Sequence, residues 1–191
     1  MSDDKPKITK NIIDSINQLT LRSERLTIKK FAECDIEFNL QHEMNPAIMR
    51  YIRDPISIEA ARTKTIKCAQ EWTGTEQEWA LFSVRLTDKS DYIGIVCLSY
   101  ESIENDTIEL GWRFGPEHHG KGYATEAASC LLDFIKTTIK PHKVVAYCVS
   151  ENTASSNIMT KIGMQQEACL REFCKLGGQW QDESIYGLLL N

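Results

Sequence analysis

TIELGWRFGPEHHGKGYATEAASCLLDFI, from Thr107 to Ile135, reads as strand, glycine loop and helix. Ile108, Leu110, Trp112 and Phe114 alternate with other residues, the period of a pleated strand. Gly115-Pro116 ends that strand, and Gly120-Lys121-Gly122 follows. Beyond it, Ala124, Ala127, Ala128, Leu131, Leu132 and Ile135 fall on one apolar helical face. A glycine turn that opens a helix after a strand is a natural anion site. Unpaired N–H groups converge there, the helix dipole adds partial positive charge, and glycine allows close approach.

Two phosphate-binding readings compete for this loop. Gly115 to Gly122 spells G-x-x-x-x-G-K-G, a near-match to a nucleotide P-loop that lacks the final Ser or Thr. That hydroxyl holds magnesium, and Gly122 has none. Pro116 removes one N–H from the cradle, and Val144 to Val149 ends in no acidic residue. An NTPase is therefore the weaker reading. In the second, Glu117-His118-His119-Gly120-Lys121-Gly122-Tyr123-Ala124-Thr125-Glu126-Ala127 resembles the pyrophosphate loop of the GCN5-related N-acetyltransferases, usually Q/R-x-x-G-x-G/A. Within that superfamily it looks like the branch containing the ribosomal-protein alanine N-terminal acetyltransferases. Glu117 departs from the usual Gln or Arg, at little cost to binding, since backbone N–H groups do most of the phosphate work.

A second motif lies downstream. Asn152, Ser155, Ile158, Gly163 and Met164 match the family's N-x-x-S-x-x-V/I/L-x-x-x-G-F/M, and Gly178, Trp180 and Asp182 match its closing G-x-W-x-D hairpin. The resemblance spans about Glu24 to Leu190. It implies an α/β (α+β) fold: a mixed, mostly antiparallel twisted sheet with a splayed parallel strand pair and helices on both faces. It also implies acetyl-coenzyme A as co-substrate and a primary amine as acceptor, either a protein or peptide N-terminus or a small amine. Cofactor contacts are then expected from Leu110, Trp112, Arg113 and Phe114 on the strand, from His119, Gly120, Lys121, Gly122, Tyr123 and Ala124 in the loop, and from Asn152, Ser155 and Asn157. Many relatives carry a tyrosine acid seven residues after the asparagine; that place is Met159 here. Ser155 is the expected substitute. Glu109 is the first candidate base and Glu172 the second, while a carboxylate used by one relative aligns near Cys174. The missing tyrosine keeps a non-catalytic acyl-coenzyme A sensor as an alternative.

Each of these residues also has a plainer role. Asn152 and Ser155 suit a helix cap, Trp112 suits sheet core, Lys121 a solvated loop cation, and Glu109 a solvent-facing strand position.

Composition sets the frame. A chain of 191 residues, 42% hydrophobic and 26% charged, is that of an ordinary globular domain. We expect an N-terminal segment over 1–20 and one domain over 21–191. The net charge of −5, without a basic run, argues against nucleic acid. No apolar leader or membrane-length stretch is present, so a cytoplasmic location is expected. Seven cysteines without C-x-x-C read as reduced core residues, and no His has ligand spacing, so no metal is expected. Monomer and homodimer both remain open.

The remaining elements follow from pattern. Ile12, Ile13, Ile16 and Leu19 suit a short helix, and Leu21 to Phe31 a strand. Helices are expected over Cys34 to Met44 and Asn45 to Tyr51. Another runs from a Ser57 cap to about Trp72, with Ile58, Ala61, Thr65, Cys68 and Ala69 inward. Trp79 to Leu86 and Tyr92 to Tyr100 form a hairpin across Thr87 to Asp91. Val144 to Val149 is a strand parallel to the central one. A helix ending at Gly163 and a last hairpin, Met164 to Leu176 and Trp180 to Leu190, close the chain. Glu33, Asp35 or Glu37 would make an acidic acceptor groove if they face it.

Overall fold

The computed structural model describes residues 8–190; residues 1–7 of the expected N-terminal segment lie outside them. The order is α1 (Lys10–Asn17), β1 (Thr20–Arg22), β2 (Leu26–Lys30), α2 (Ile36–Glu43), α3 (Pro46–Met49), α4 (Ile58–Cys68), β3 (Ala80–Leu86), β4 (Tyr92–Ser102), β5 (Thr107–Phe114), α5 (Tyr123–Phe134), β6 (Lys143–Val149), α6 (Thr153–Lys161), β7 (Gln165–Leu176) and β8 (Gln179–Leu189). One eight-stranded sheet runs β1-β2-β3-β4-β5-β6-β8-β7. Only β5–β6 is parallel; every other pairing is antiparallel. This is the expected mixed sheet.

Both faces of the sheet are covered. Ile108, Leu110 and Phe114 of β5 pack with Ala127, Ala128, Leu131 and Leu132 of α5 in the main core, which Ile16 and Leu19 also enter. The opposite face carries a smaller core of Phe31, Leu81 and Ile95, with Ile36 and Cys68 from the α2–α4 layer against it. Strands β3 and β4 are therefore buried on both sides, as the Ile93-Gly94-Ile95-Val96 run suggests.

Four expectations need correction. Leu21 to Phe31 is not one strand: β1 folds back antiparallel on β2. Ser23 causes the break, because its hydroxyl accepts from Leu26 N–H at 3.1 Å and competes with a continued ladder. The Ser57 helix stops at Cys68 rather than near Trp72. Its Ile58 is half-exposed at 50%, since α4 buries its middle, Ala61 and Thr65, and its first turn overhangs. The cysteines are all free, but Cys148 alone is buried, and Cys34 and Cys169 are exposed. Cys169 lies on β7, the sheet's outer edge, where little covers it.

Candidate functional site

Strands β5 and β6 pair only through Thr107–Lys143, Ile108–Val144 and Glu109–Val145. Beyond Glu109 they diverge, while β5 stays paired with β4 out to Phe114 and β6 with β8 out to Val149. Gly115 N–H donates to Ile93 O, which sets the alternation. The backbone groups of Arg113 and Gly111 face β4, and those of Leu110, Trp112 and Phe114 face the opening. A buried strand edge without a partner strand is a template for an extended polar chain. His119 Nε2–H already donates to Phe114 O at 3.1 Å, and the parallel Glu109–Val145 pair takes up Leu110 N–H, leaving the Leu110 carbonyl and both backbone groups of Trp112 as the free stretch.

The glycine loop sits at the mouth of this opening. Gly120 (φ +73°) and Gly122 (φ +80°) are both left-handed, and Gly122 is the N-cap of α5. A Cβ on Gly120 would meet nothing within 4 Å, so the loop has an open outer side. The first helical bond of α5 runs from Glu126 N–H to Gly122 O, which leaves the N–H groups of Tyr123, Ala124 and Thr125 without helical acceptors. The loop thus fits a pyrophosphate. Lys121 is exposed beside it.

Arg25, which is not among the expected site residues, holds this loop in shape. Its Nη1 donates to Lys121 O at 3.0 Å and its Nε to Glu126 Oε2 at 2.7 Å, and its guanidinium lies 4.6 Å over the Tyr123 ring. Ser23 O–H donates to Glu126 Oε1 at 2.6 Å. Burial works against the Glu126 carboxylate, but the bonds from Ser23 and Arg25 outweigh it and hold its pKa below the usual range.

On the α2–α4 face of the sheet, the opening is lined by Glu101, Glu109, Tyr147 and Glu183. Register places Glu109, Tyr147 and Glu183 on one face, and Tyr147 O–H donates to Glu101 Oε1 at 3.4 Å. Burial first, then the charges of Glu101 and Glu183, push the Glu109 pKa up from 4.5 to about 7. Burial also raises Glu183, and burial with Glu101 and Glu109 raises Tyr147 to about 12. Glu109 is therefore a carboxylate raised toward neutrality at the point where the strands part. Glu101, Tyr147 and Glu183 come from three other strands, so linear spacing carried no signal for them.

At the C-terminal end of β6, Asn152 caps α6, its Oδ1 accepting from Ser155 N–H at 3.2 Å. The plainer reading of Asn152 thus holds for its side-chain oxygen. Ser155 is half-buried, its Oγ makes no hydrogen bond among the described residues, and Asn157 is exposed. Met159 is 1% exposed within the core, where no proton donor is available. Glu172, the second candidate base, is exposed on the β7 bulge between Leu170 and Cys174, in left-handed conformation (φ +51°). Trp112 is half-buried against the main core, as its plain reading holds.

Arg113 does not face the opening. Its backbone pairs with Ile95, and its side chain, 7% exposed, reaches α2, with Nη1 on Glu43 Oε1 at 2.5 Å and Nη2 on Asn39 Oδ1 at 2.6 Å. Two of the three acids that would make an acidic groove if they faced it are engaged in ion pairs. Asp35 is buried against Arg85 and Glu37 pairs with Arg62. The acids at the opening are those of β4, β5 and β8. A cleft of about 360 Å³ elsewhere, between α1 and the end of α4, is lined by Ile13, Asn17, Lys30 and Gln70 and touches none of these groups. Among the described residues, no cluster of three or more His, Cys, Asp or Glu is placed to hold a metal ion, and no helix is long and apolar enough to cross a membrane.

Comparison with known proteins agrees with this geometry. A family model described as an acetyltransferase (GNAT) domain matches residues 25–165. The N-acetyltransferase YnaD of Bacillus subtilis is 30% identical over 88% of this chain and 96% of its own. The [ribosomal protein uS5]-alanine N-acetyltransferase of Escherichia coli is 25% identical over 53% of each chain. The crystal structure of spermidine N-acetyltransferase from Vibrio cholerae, in complex with CoA and spermine, superposes with a TM-score of 0.76 at 24% identity, covering 88% of this chain and 97% of that one. At that identity the likeness is one of fold.

Proposed function

The chain belongs to the GNAT acetyltransferase family and is an N-acetyltransferase; we propose that its donor is acetyl-coenzyme A and its acceptor a peptide or protein N-terminal α-amine, with a small amine as the second choice. The observation that carries this is the position and pKa of Glu109. A carboxylate at about 7 stands where β5 and β6 part. An α-ammonium titrates near ~8, so a carboxylate raised toward neutrality takes its proton more readily than that of an alkyl ammonium near ~10.4. The alanine N-acetyltransferase among the relatives acts in the same direction, and the polyamine enzyme of the same fold supports the second choice.

The chain's own groups divide the work. Free N–H groups at Gly120 to Ala124 bind the pyrophosphate, with Lys121 as a nearby cation. The Leu110 carbonyl and the N–H and C=O groups of Trp112 face the pantetheine amides, and an N–H on this edge polarises the thioester carbonyl. Acetyl-coenzyme A supplies an activated acetyl thioester. Glu109 takes the proton from the attacking amine, directly or through water, so that the nitrogen carries a lone pair as the new C–N bond forms. As the tetrahedral adduct collapses, its nitrogen gives up a proton that passes through Ser155 Oγ to the departing sulfur, so the C–S bond breaks and coenzyme A leaves as the thiol. The amine attacks directly, with both substrates bound together.

The test is a competition assay with acetyl-coenzyme A, an alanine-initiated peptide and spermidine, read by thiol release and product mass. The peptide is expected to have the higher kcat/KM. Faster turnover of spermidine overturns the α-amine reading, and turnover of neither overturns both.

A further inference from the structure

Glu43, buried at 7%, lies between two guanidiniums. Its Oε1 accepts from Arg113 of β5, and its Oε2 accepts from Arg53 of the loop after α3, each at 2.5 Å. Burial works to raise its pKa, yet Arg113 and Arg53 prevail and hold it below the ordinary carboxylate range. Asn39 adds a second tie from α2, accepting from Arg113 and donating to Thr65 of α4 at 3.1 Å. The α2–α4 layer is thereby pinned to β5 at Arg113, one residue beyond the open edge at Trp112.

The next residue extends this tie across the opening. Asp54 Oδ1 accepts from Gly177 N–H at 2.6 Å. Gly177 (φ +58°) and Gly178 (φ +78°) form the two-residue turn between β7 and β8, and the paired left-handed conformation is the one such hairpins favour. Among the described residues, this is the one hydrogen bond between the α2–α4 layer, which covers the β3–β5 half of the sheet, and the β6–β8–β7 half. The strands of the two halves separate beyond Glu109, so the distance between the halves is not held there by the sheet itself.

We infer that Glu43 and Asp54 are positioning residues for the acceptor: with Arg113 and Arg53 they form a polar brace that sets the width of the groove between the α2–α4 layer and the β7–β8 hairpin. This rests on the acetyl-transfer reading above. The brace does not touch the glycine loop or the Leu110–Trp112 edge, so it governs acceptor binding and leaves the donor site alone.

The test compares Asp54→Ala, Asp54→Asn and Glu43→Gln with wild type, using the alanine-initiated peptide and spermidine as acceptors. Asp54 is exposed, so its replacement spares the core. Asp54→Ala is expected to raise acceptor KM about tenfold, with kcat and acetyl-coenzyme A affinity held within about twofold, the loss expected for one charge-assisted bond. Asp54→Asn keeps an acceptor oxygen and should recover most of the loss. Glu43→Gln should act in the same direction, and the Asp54→Ala/Glu43→Gln double variant should be less than additive. An unchanged KM in Asp54→Ala, or an equal fall in donor affinity, overturns the inference. If Glu43→Gln does not fold, the two Asp54 variants decide alone. If wild type acetylates neither acceptor, the acceptor reading has failed and the brace is judged by amide exchange. Asp54→Ala must then speed exchange at α2–α3 as well as at Gly177; faster exchange at Gly177 alone overturns it.

Discussion

Glu109 and Val145 are the last pair at which β5 and β6 are in register. One residue further along β5, Leu110 turns its carbonyl into the opening; one residue further along β6, Ala146 remains paired with Tyr186 of β8. The vacant edge is therefore made by β5 alone. It begins beside Glu109, the carboxylate that burial and its acidic neighbours raise to about 7. Donor edge and candidate base are adjacent because one strand carries both.

Glu109→Gln should lower kcat about a hundredfold and abolish the acidic limb of the kcat/KM profile near pH 7. Its stability effect has the opposite sign. The folded-state pKa lies above the unfolded value of 4.5, so the folded chain binds the extra proton between those values. The protonated carboxyl stabilises fully below 4.5, and that contribution is lost as pH rises through about 7, a swing of roughly 3 kcal/mol at most. Denaturation at pH 8.5 should thus find the Gln variant as stable as wild type or more so. A variant that is less stable at that pH while keeping its activity would rule Glu109 out as the base.

Gly120→Ala and Gly122→Glu separate strain from occlusion. Both positions are left-handed, so each substitution costs about 1–2 kcal/mol in the unliganded protein. Wild type should gain roughly 2.7 kcal/mol at 100 times the donor's dissociation constant. Gly122→Glu should lose that gain, and Gly120→Ala should keep most of it. Retention of the full shift by Gly122→Glu would place the donor elsewhere.

Arg25→Ala should raise KM for acetyl-coenzyme A about tenfold, because the guanidinium holds both Lys121 O and Glu126. Acceptor KM should not move. Steady-state kinetics with each substrate varied in turn distinguishes this from a general loss of stability, which would lower kcat at fixed KM values.

Asn152→Ala and Ser155→Ala should diverge. The first removes a helix cap and should cost about 1 kcal/mol of stability, read by chemical denaturation. The second removes an Oγ without a described partner and should leave stability within about 0.5 kcal/mol while lowering kcat at least about tenfold. An unchanged kcat in Ser155→Ala would return Ser155 to a purely local role on α6.

Met159→Tyr, which places the tyrosine of many relatives in this chain, should not gain activity. Met159 is 1% exposed, and a larger ring there should destabilise by about 1–3 kcal/mol. A rise in kcat would show that the pocket opens toward the sulfur.

Apart from the fold-back of β1 on β2, the order of strands and helices, the glycine loop and the parallel β5–β6 pair were legible in the chain. They rest on local periodicity and on glycine's conformational freedom, which neighbouring residues determine between themselves. Glu109 was legible as a strand carboxylate, but its pKa was not, since burial and the charges of Glu101 and Glu183 reach it from β4 and β8. Arg113 looked like a cofactor residue from its place on β5. Its actual partners, Glu43 and Asn39, stand about 70 residues earlier, and strand parity together with the α2–α4 layer turned it away from the opening. Arg25 on the loop and Asp54 on Gly177 are likewise contacts between distant parts of the chain. The sequence by itself determined most of the elements and where the glycine loop falls between β5 and α5. Only the tertiary structure decided which side chains meet at the opening, because desolvation and charge pairing depend on distance in space and leave no period in the chain.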